Sequence, residues 1–166
     1  MEVATIKKTK KSTWVEKREK EAVGYPKIVE IPNRWANTIG DGKMVILTPK
    51  IIDNFIRKIP KGKLATINTI RHHFAEEYNV DETCPMTTGI FVWICAGAAK
   101  EDRADGKKQI APYWRVLKEG GKLNPKYPGG VRQHAKYLEG EGFEIIRGDK
   151  DASWRVYNYD QYLMNV

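Results

Sequence analysis

The chain of 166 residues carries 29 Lys and Arg against 21 Asp and Glu, a formal net charge of +8, and is 41% hydrophobic and 10% aromatic. That length and apolar content suffice for about one domain with a real core, and the charge points to a polyanionic partner, nucleic acid above all. No apolar run reaches the ~18 residues of a membrane span, and the N-terminus lacks the apolar segment of a secretory signal. Two cysteines, Cys84 and Cys95, make no disulfide framework, so a cytoplasmic, nucleoid-associated setting is expected. With no Cys/His cluster at zinc spacing and no Gly-rich phosphate loop, no cofactor is expected.

Residues 1–24 are Lys-rich and read as a basic N-terminal arm, with a helix only from about Thr13 as the alternative. Residues 25–166 read as a single domain. Tyr25–Pro32 alternates like a short edge strand closed by proline at both ends. Arg34–Asp41 suits a brief helix, and Met44–Leu47 a short strand. Thr48 and Pro49 form an N-cap and first helical position, followed by an apolar face of Ile51, Ile52, Phe55 and Ile56. After the turn at 60–63, Thr66 caps a second helix over 66–78, on which His72 and His73 fall near the surface. A third helix is expected over Met86–Ala99, with the polar stretch Asp102–Lys108 as a loop. Two helices joined by a short turn, the second following a proline, have helix-turn-helix syntax.

Ile110-Ala-Pro-Tyr-Trp-Arg-Val-Leu117 combines a proline, two aromatics, an arginine and an apolar pair. It reads as a buried turn feeding a strand. The turn at Lys118–Lys122 then suggests a small hairpin, or wing. Val131–Gly140 is helical with Val131, Ala135 and Leu138 inward, ended by Gly140 and Gly142. Phe143–Arg147 and Trp154–Tyr157 alternate as a hairpin, and Asp160–Leu163 suits a closing turn. The fold class is therefore α+β, a winged helix-turn-helix-like domain with a small C-terminal β-hairpin.

Five of these segments carry a resemblance. Ile59-Pro-Lys-Gly-Lys-Leu-Ala-Thr66 resembles the opening of the DNA-binding domain of O6-alkylguanine-DNA alkyltransferases. Thr87-Thr-Gly89 falls where that family begins its recognition helix. Pro112-Tyr-Trp-Arg-Val116 is similar to its Pro-Cys-His-Arg-Val active-site turn, Lys118–Gly130 to its wing and Tyr-Ser-Gly-Gly loop, and Leu138-Glu-Gly-Glu-Gly142 to its closing Leu-x-x-Glu-Gly. The likeness runs over about 50–142 in the family's order. It implies a winged helix-turn-helix that enters the minor groove of double-stranded DNA and flips an alkylated base into a pocket. Carried over, it places DNA contacts at Lys61, Lys63, Thr66, Met86, Thr87, Thr88, Gly89, Lys118, Lys122 and Lys126. A base pocket would comprise Tyr113, Trp114, Arg115, Tyr127, Gly129 and Glu141.

The departures fall at the chemistry. In the family the cysteine of the turn accepts the alkyl group as a thiolate. Here Tyr113 stands at the Cys position and Trp114 at the His position. A phenol with an ordinary pKa of about 10 is a poor alkyl acceptor near neutrality. The family's intercalating Arg falls on Met86, an apolar wedge or a core residue. Its phosphate-turning Tyr falls on Ile67, and its hinge Asn falls near Cys95. The closest in logic are the alkyltransferase-like proteins, which bind lesions without repairing them. The expectation is thus a non-enzymatic DNA-binding protein that recognises alkylated or flipped guanine. The alternatives are an alkyltransferase using a displaced cysteine, Cys84 or Cys95, and a winged-helix module that binds RNA or a protein partner.

Overall fold

The computed structural model of the protein describes residues 11–165. The architecture is α+β, with short sheets flanking a layer of helices. In chain order come α1 (Trp14–Glu19), β1 (Lys27–Glu30), α2 (Ala36–Ile39), β2 (Lys43–Ile46), α3 (Pro49–Arg57), β3 (Ala65–Thr66), α4 (Ile67–Glu77), β4 (Glu82–Thr83) and α5 (Pro85–Ala104). The C-terminal half adds β5 (Val116–Leu117), α6 (Gly130–Gly140), β6 (Ile145–Ile146) and β7 (Arg155–Val156).

Local chemistry accounts for most helix starts. Thr48 caps α3 by accepting from the Ile51 amide, with Pro49 at the first helical position where its missing N–H costs nothing. Thr66 caps α4 in a reciprocal exchange with Thr69. β2 is central in the first sheet, antiparallel to β1 and parallel to β4. β3 and β5 pair in parallel, Ala65 beside Val116 and Thr66 beside Leu117. β6 and β7 form the expected hairpin, in register Ile145–Val156 and Ile146–Arg155.

Two large apolar cores result, with a smaller cluster of Ile31, Met44 and Cys84 beside them. One packs Ile52, Phe55 and Ile56 of α3, Ile70 and Phe74 of α4, and Val92 and Cys95 of α5 around Tyr113 and Tyr127. The other joins Leu64, Leu117 and Leu123 to Val131, Ala135 and Leu138 of α6 and Val156 of β7. Trp114 packs against both, so the 112–117 turn is the seam between them. A 3-10 turn at Tyr159–Tyr162 closes the second core, bringing Leu163 beside Leu64.

Three expectations are corrected. Residues 1–10 of the expected arm lie outside the described residues, but Trp14–Glu19 is a docked helix that begins at its Thr13 cap, as the alternative had it. Glu101 of α5 accepts from the amides of Trp14 and Val15, and the Trp14 ring lies over Gly97. Arg18, 4% exposed, donates to Asp102 at 2.7 Å and lies 3.9 Å from Asp53, itself bonded to Arg57. This lysine-rich segment is held by carboxylates and a packing surface of α5 more than 80 residues away, and by Asp53 of α3. Second, α5 does not stop at Ala99. It runs to Ala104 because Asp102 turns inward to Arg18, and it ends only where Gly106 adopts φ +78°. There the Gly106 amide bonds to the Arg103 carbonyl and the Lys107 amide to the Asp102 carbonyl, a Schellman closure. Third, residues 118–122 form a tight turn with a 3-10 segment and one antiparallel bridge, not a two-stranded hairpin. His72 and His73 are surface residues beside Glu76 and Glu77.

Candidate nucleic-acid interface and base cavity

The 110–117 stretch begins with an inverse γ-turn. Pro112 has φ −77° and ψ 64°, and the Tyr113 amide donates to the Ala111 carbonyl at 2.8 Å. Tyr113–Arg115 then makes one 3-10 turn before β5. Trp114 and Arg115 of the turn, and Val116 after it, are held from several distant parts of the chain. Arg115 donates through Nη1 to the Ile59 carbonyl and through Nε to Glu141, both at 2.7 Å. The Trp114 indole N–H also donates to Glu141. The Trp114 carbonyl accepts from His134 Nε2 at 2.8 Å, and the Val116 carbonyl accepts from the Tyr127 hydroxyl at 2.9 Å.

His134 had no part in the sequence reading, yet it ties three elements together. From α6 it donates to Trp114 with one ring nitrogen and accepts from the Asn124 amide with the other, Nδ1. Both bonds require the neutral Nε2–H tautomer. Burial pushes its pKa down to about 4, against the smaller upward pull of the Trp114 carbonyl. It falls three residues after Val131 and four before Leu138, so the helical spacing that marked those residues as inward applied to it as well.

Two adjoining cavities open beside this turn. The first, of about 430 Å³, is walled by Tyr113, Tyr137, Gln133, Gly129 and Lys100. The second, of about 560 Å³, is walled by Trp114, Arg115, Arg57, Lys107 and Lys108. Arg103 lines both, with its guanidinium 4.7 Å from the Tyr137 ring centre and 5.8 Å from that of Trp114. Trp114 and Tyr137 stack at 4.8 Å, and Tyr113 meets Trp114, Tyr127 and Tyr137 edge-on. Gly129 is a site where glycine matters: its φ is +81°, and a Cβ would press on Gln133 at 2.6 Å.

The expected pocket residues therefore gather, in distinct places. Tyr113 and Gly129 face the aromatic cavity, and Trp114 and Arg115 face the basic one. Tyr127 is buried beneath Tyr113, and Glu141 is occupied by Trp114 and Arg115. Arg103 and Tyr137 were not singled out from sequence. Burial holds the Tyr113 phenol up at about 12, and Tyr137 beside it acts in the same direction. Burial likewise raises Cys95 well above the ordinary thiol range, and both cysteines lie in core clusters away from the cavities.

The expected DNA contacts divide. Lys61, Lys63, Lys118, Lys122 and Lys126 are exposed. Because β3 and β5 run parallel, the 60–63 turn enters the ladder at one end and the 118–122 turn leaves it at the other. Thr66 and Thr88 are corrections. Thr66 is 6% exposed, with its hydroxyl engaged by Thr69, while Thr88 is 1% exposed and donates to the Cys84 carbonyl. Neither hydroxyl is offered to a phosphate. The Glu119 carboxylate accepts from the Asn68 amide, filling the N-terminus of α4 where an anion would otherwise be favoured. Met86 is exposed, Thr87 is half-buried, and Gly89 faces open space. Gly89 lies 14 residues from Arg103 on one helix, a separation of about 21 Å. The N-terminal end of α5 and the cavities are thus separate surfaces. Comparison of the chain with protein-family models, with curated proteins and with solved structures finds no match.

Proposed function

We propose that this is a non-enzymatic DNA-binding protein of alkyltransferase-like design, in which an extruded base, alkylated guanine by the resemblance, is received beside Tyr113. The observation that carries the reading is convergence. Four of the five sequence segments that resemble the alkyltransferase domain are tied to the Tyr113–Arg115 turn or belong to it. Ile59 is linked through Arg115, Tyr127 through Val116, and Glu141 through Trp114 and Arg115. The cavity beside that turn is walled in part by Tyr113 and Tyr137, aromatic groups of the kind on which bases stack.

The chemistry supports binding without alkyl transfer. A phenol held at about 12 is un-ionised at neutral pH, and the Trp114 indole offers no base to deprotonate it. Duplex docking falls to Lys61, Lys63, Lys118, Lys122 and Lys126, which set affinity and its salt dependence but not sequence preference. In this reading α4 and α5 are the helix-turn-helix and the 118–122 turn is a reduced wing. Fluorescence titration with duplexes carrying guanine or O6-methylguanine, at two salt concentrations, tests it. Salt-sensitive binding that favours the modified duplex is expected, and no binding at low salt overturns it.

One observation favours a second reading, docking of a protein. The first ten residues of α5, Pro85–Ile94, carry no charge, and Met86, Ile90 and Trp93 are exposed there at 56%, 43% and 40%. Such a stripe suits an apolar partner surface better than a phosphate backbone.

A further inference from the structure

We infer that the paired cavities astride Arg103 form a nucleoside-phosphate site, with the phosphate in the basic chamber and the base in the aromatic one. The inference deepens the reading above, because it supplies the charged half of the ligand and transfers recognition from a duplex to a single nucleotide unit. It rests on the placement of cations that the family likeness does not supply.

The basic chamber is lined by Arg57, Arg103, Lys107, Lys108 and Arg115, with no carboxylate among its lining residues. Three of these cations already have partners: Arg57 pairs with Asp53, Lys107 with Asp102, and Arg115 with Glu141. Among the described residues, Arg103 and Lys108 pair with no carboxylate. With the other three cations balanced by their carboxylates, Arg103 and Lys108 leave the concavity net positive. The Schellman closure after α5 produces this arrangement. It satisfies the last helix carbonyls with the amides of 105–107, so they do not oppose an anion as free acceptors, and it turns Lys107 and Lys108 back toward α3.

Arg103 is the hinge of the argument. Its guanidinium lies against the Tyr137 and Trp114 rings, which holds a planar fork in place for the bidentate bonding that a phosphate accepts. Across it, the half-buried Tyr137 and the nearly fully buried Tyr113 line an aromatic wall, and Gln133 offers an amide with both donor and acceptor character, the groups a heterocyclic base requires. Both volumes lie within the range of about 300–1,000 Å³ usual for small-ligand sites, and both are too confined for a duplex. A lone nucleotide, free or extruded from a strand, fits the pair.

The full chain is titrated calorimetrically with deoxyguanosine 5′-monophosphate, with deoxyguanosine, and with a short single-stranded oligonucleotide. The monophosphate should bind at least about tenfold more tightly than the nucleoside. Arg103→Gln with Lys108→Gln should bring the two to parity, and Arg103→Lys should lose part of the preference. Lys27→Gln with Lys150→Gln, which removes the same charge far from the site, should retain it. If the double variant also flattens the salt dependence of oligonucleotide binding, by a slope of about 1.4 for two phosphates, the ligand is a strand; if only the monophosphate responds, it is a free nucleotide. Equal affinity for nucleotide and nucleoside in the wild type overturns the inference. So does a preference that survives Arg103→Gln/Lys108→Gln, or an absence of nucleotide binding. Duplex titration in parallel separates the two proposals. Duplex binding without nucleotide binding leaves the docking reading and removes the chambers, and the reverse result does the opposite.

Discussion

His134 makes the stability of the site depend on acidity in a calculable way. The residue is 1% exposed and fits its place only as the neutral Nε2–H tautomer, since its other nitrogen must accept from Asn124. Its folded-state pKa is about 4 against an ordinary 6.5. Between those values the unfolded chain holds a proton that the folded chain refuses, so stability rises with pH across the window. The contribution is complete above pH 6.5 and is lost progressively as pH falls toward 4. At 1.36 kcal/mol per unit, the whole depression amounts to about 3 kcal/mol, a large part of the margin of a domain this size. Lys50 and Arg18 hold the Glu19 carboxylate below its usual range, and the bonds from Arg18 and Lys107 outweigh burial to do the same for Asp102. Those depressed acids lose their contributions only as pH falls below about 4.5, at the lower edge of the histidine window, so the slope from 6.5 to 4.5 belongs to the histidine. Urea unfolding at half-unit steps from pH 4 to 7.5 should therefore give a slope in the wild type that His134→Gln largely abolishes, whatever that variant loses at neutral pH. A wild-type stability that is flat from pH 6.5 to 4.5, or a slope that the variant retains, would refute the assignment of a buried neutral imidazole.

The remaining predictions are more local. Lys61→Ala/Lys63→Ala should weaken duplex binding about equally for all sequences and flatten its salt dependence; unchanged binding at low salt would remove the docking model. Incubation with O6-methylguanine DNA should leave the protein mass unchanged, whereas a gain of about 14 Da would establish transfer to a cysteine. Gly97→Ala places a methyl group 2.5 Å from the Trp14 ring and should cost about 1–3 kcal/mol, a cost that Trp14→Ala relieves in a double-mutant cycle. Arg18→Met removes a buried partner of Asp102 on α5 and Asp53 on α3 and should cost about 3–5 kcal/mol by thermal unfolding; a loss below 1 kcal/mol would show that Arg57 and Lys107 suffice for both.

What could be read from sequence was what neighbouring residues decide. The Thr48–Pro49 and Thr66 caps, the α6 stripe and the hairpin over 143–157 all depend on contacts a few positions apart, and each forms as its pattern indicates. The buried character of the 110–117 stretch was also legible, because Val116 and Leu117 have no polar group to present to water and Tyr113 is mostly apolar ring. The misreadings of the N-terminal segment and of the end of α5 share a cause. Charged residues at 14–19 and 99–104 suggested solvent, but Arg18, Glu101 and Asp102 are one another's partners or cap one another's helices across more than 80 positions. Gly106 was a readable stop signal for α5, outweighed by the polarity of Asp102. The cavity was half visible. The likeness to alkyltransferases drew attention to Tyr113 and Gly129, but Arg103 and Tyr137 lie outside its motifs, and only packing brings them to the same wall.

The pairing of Leu64 with the segment around Leu163 has a consequence for how the molecule is made. Leu64 donates to the Tyr162 carbonyl and accepts from the Met164 amide, so a fully buried backbone position near the middle of the chain waits for partners about a hundred residues later. During synthesis the β3–β5 ladder would form with one flank open, and an aliphatic edge would be left to chaperones or to unwanted neighbours until the final turn is threaded into place. Cutting the chain after Asn158 should recreate that half-finished state permanently.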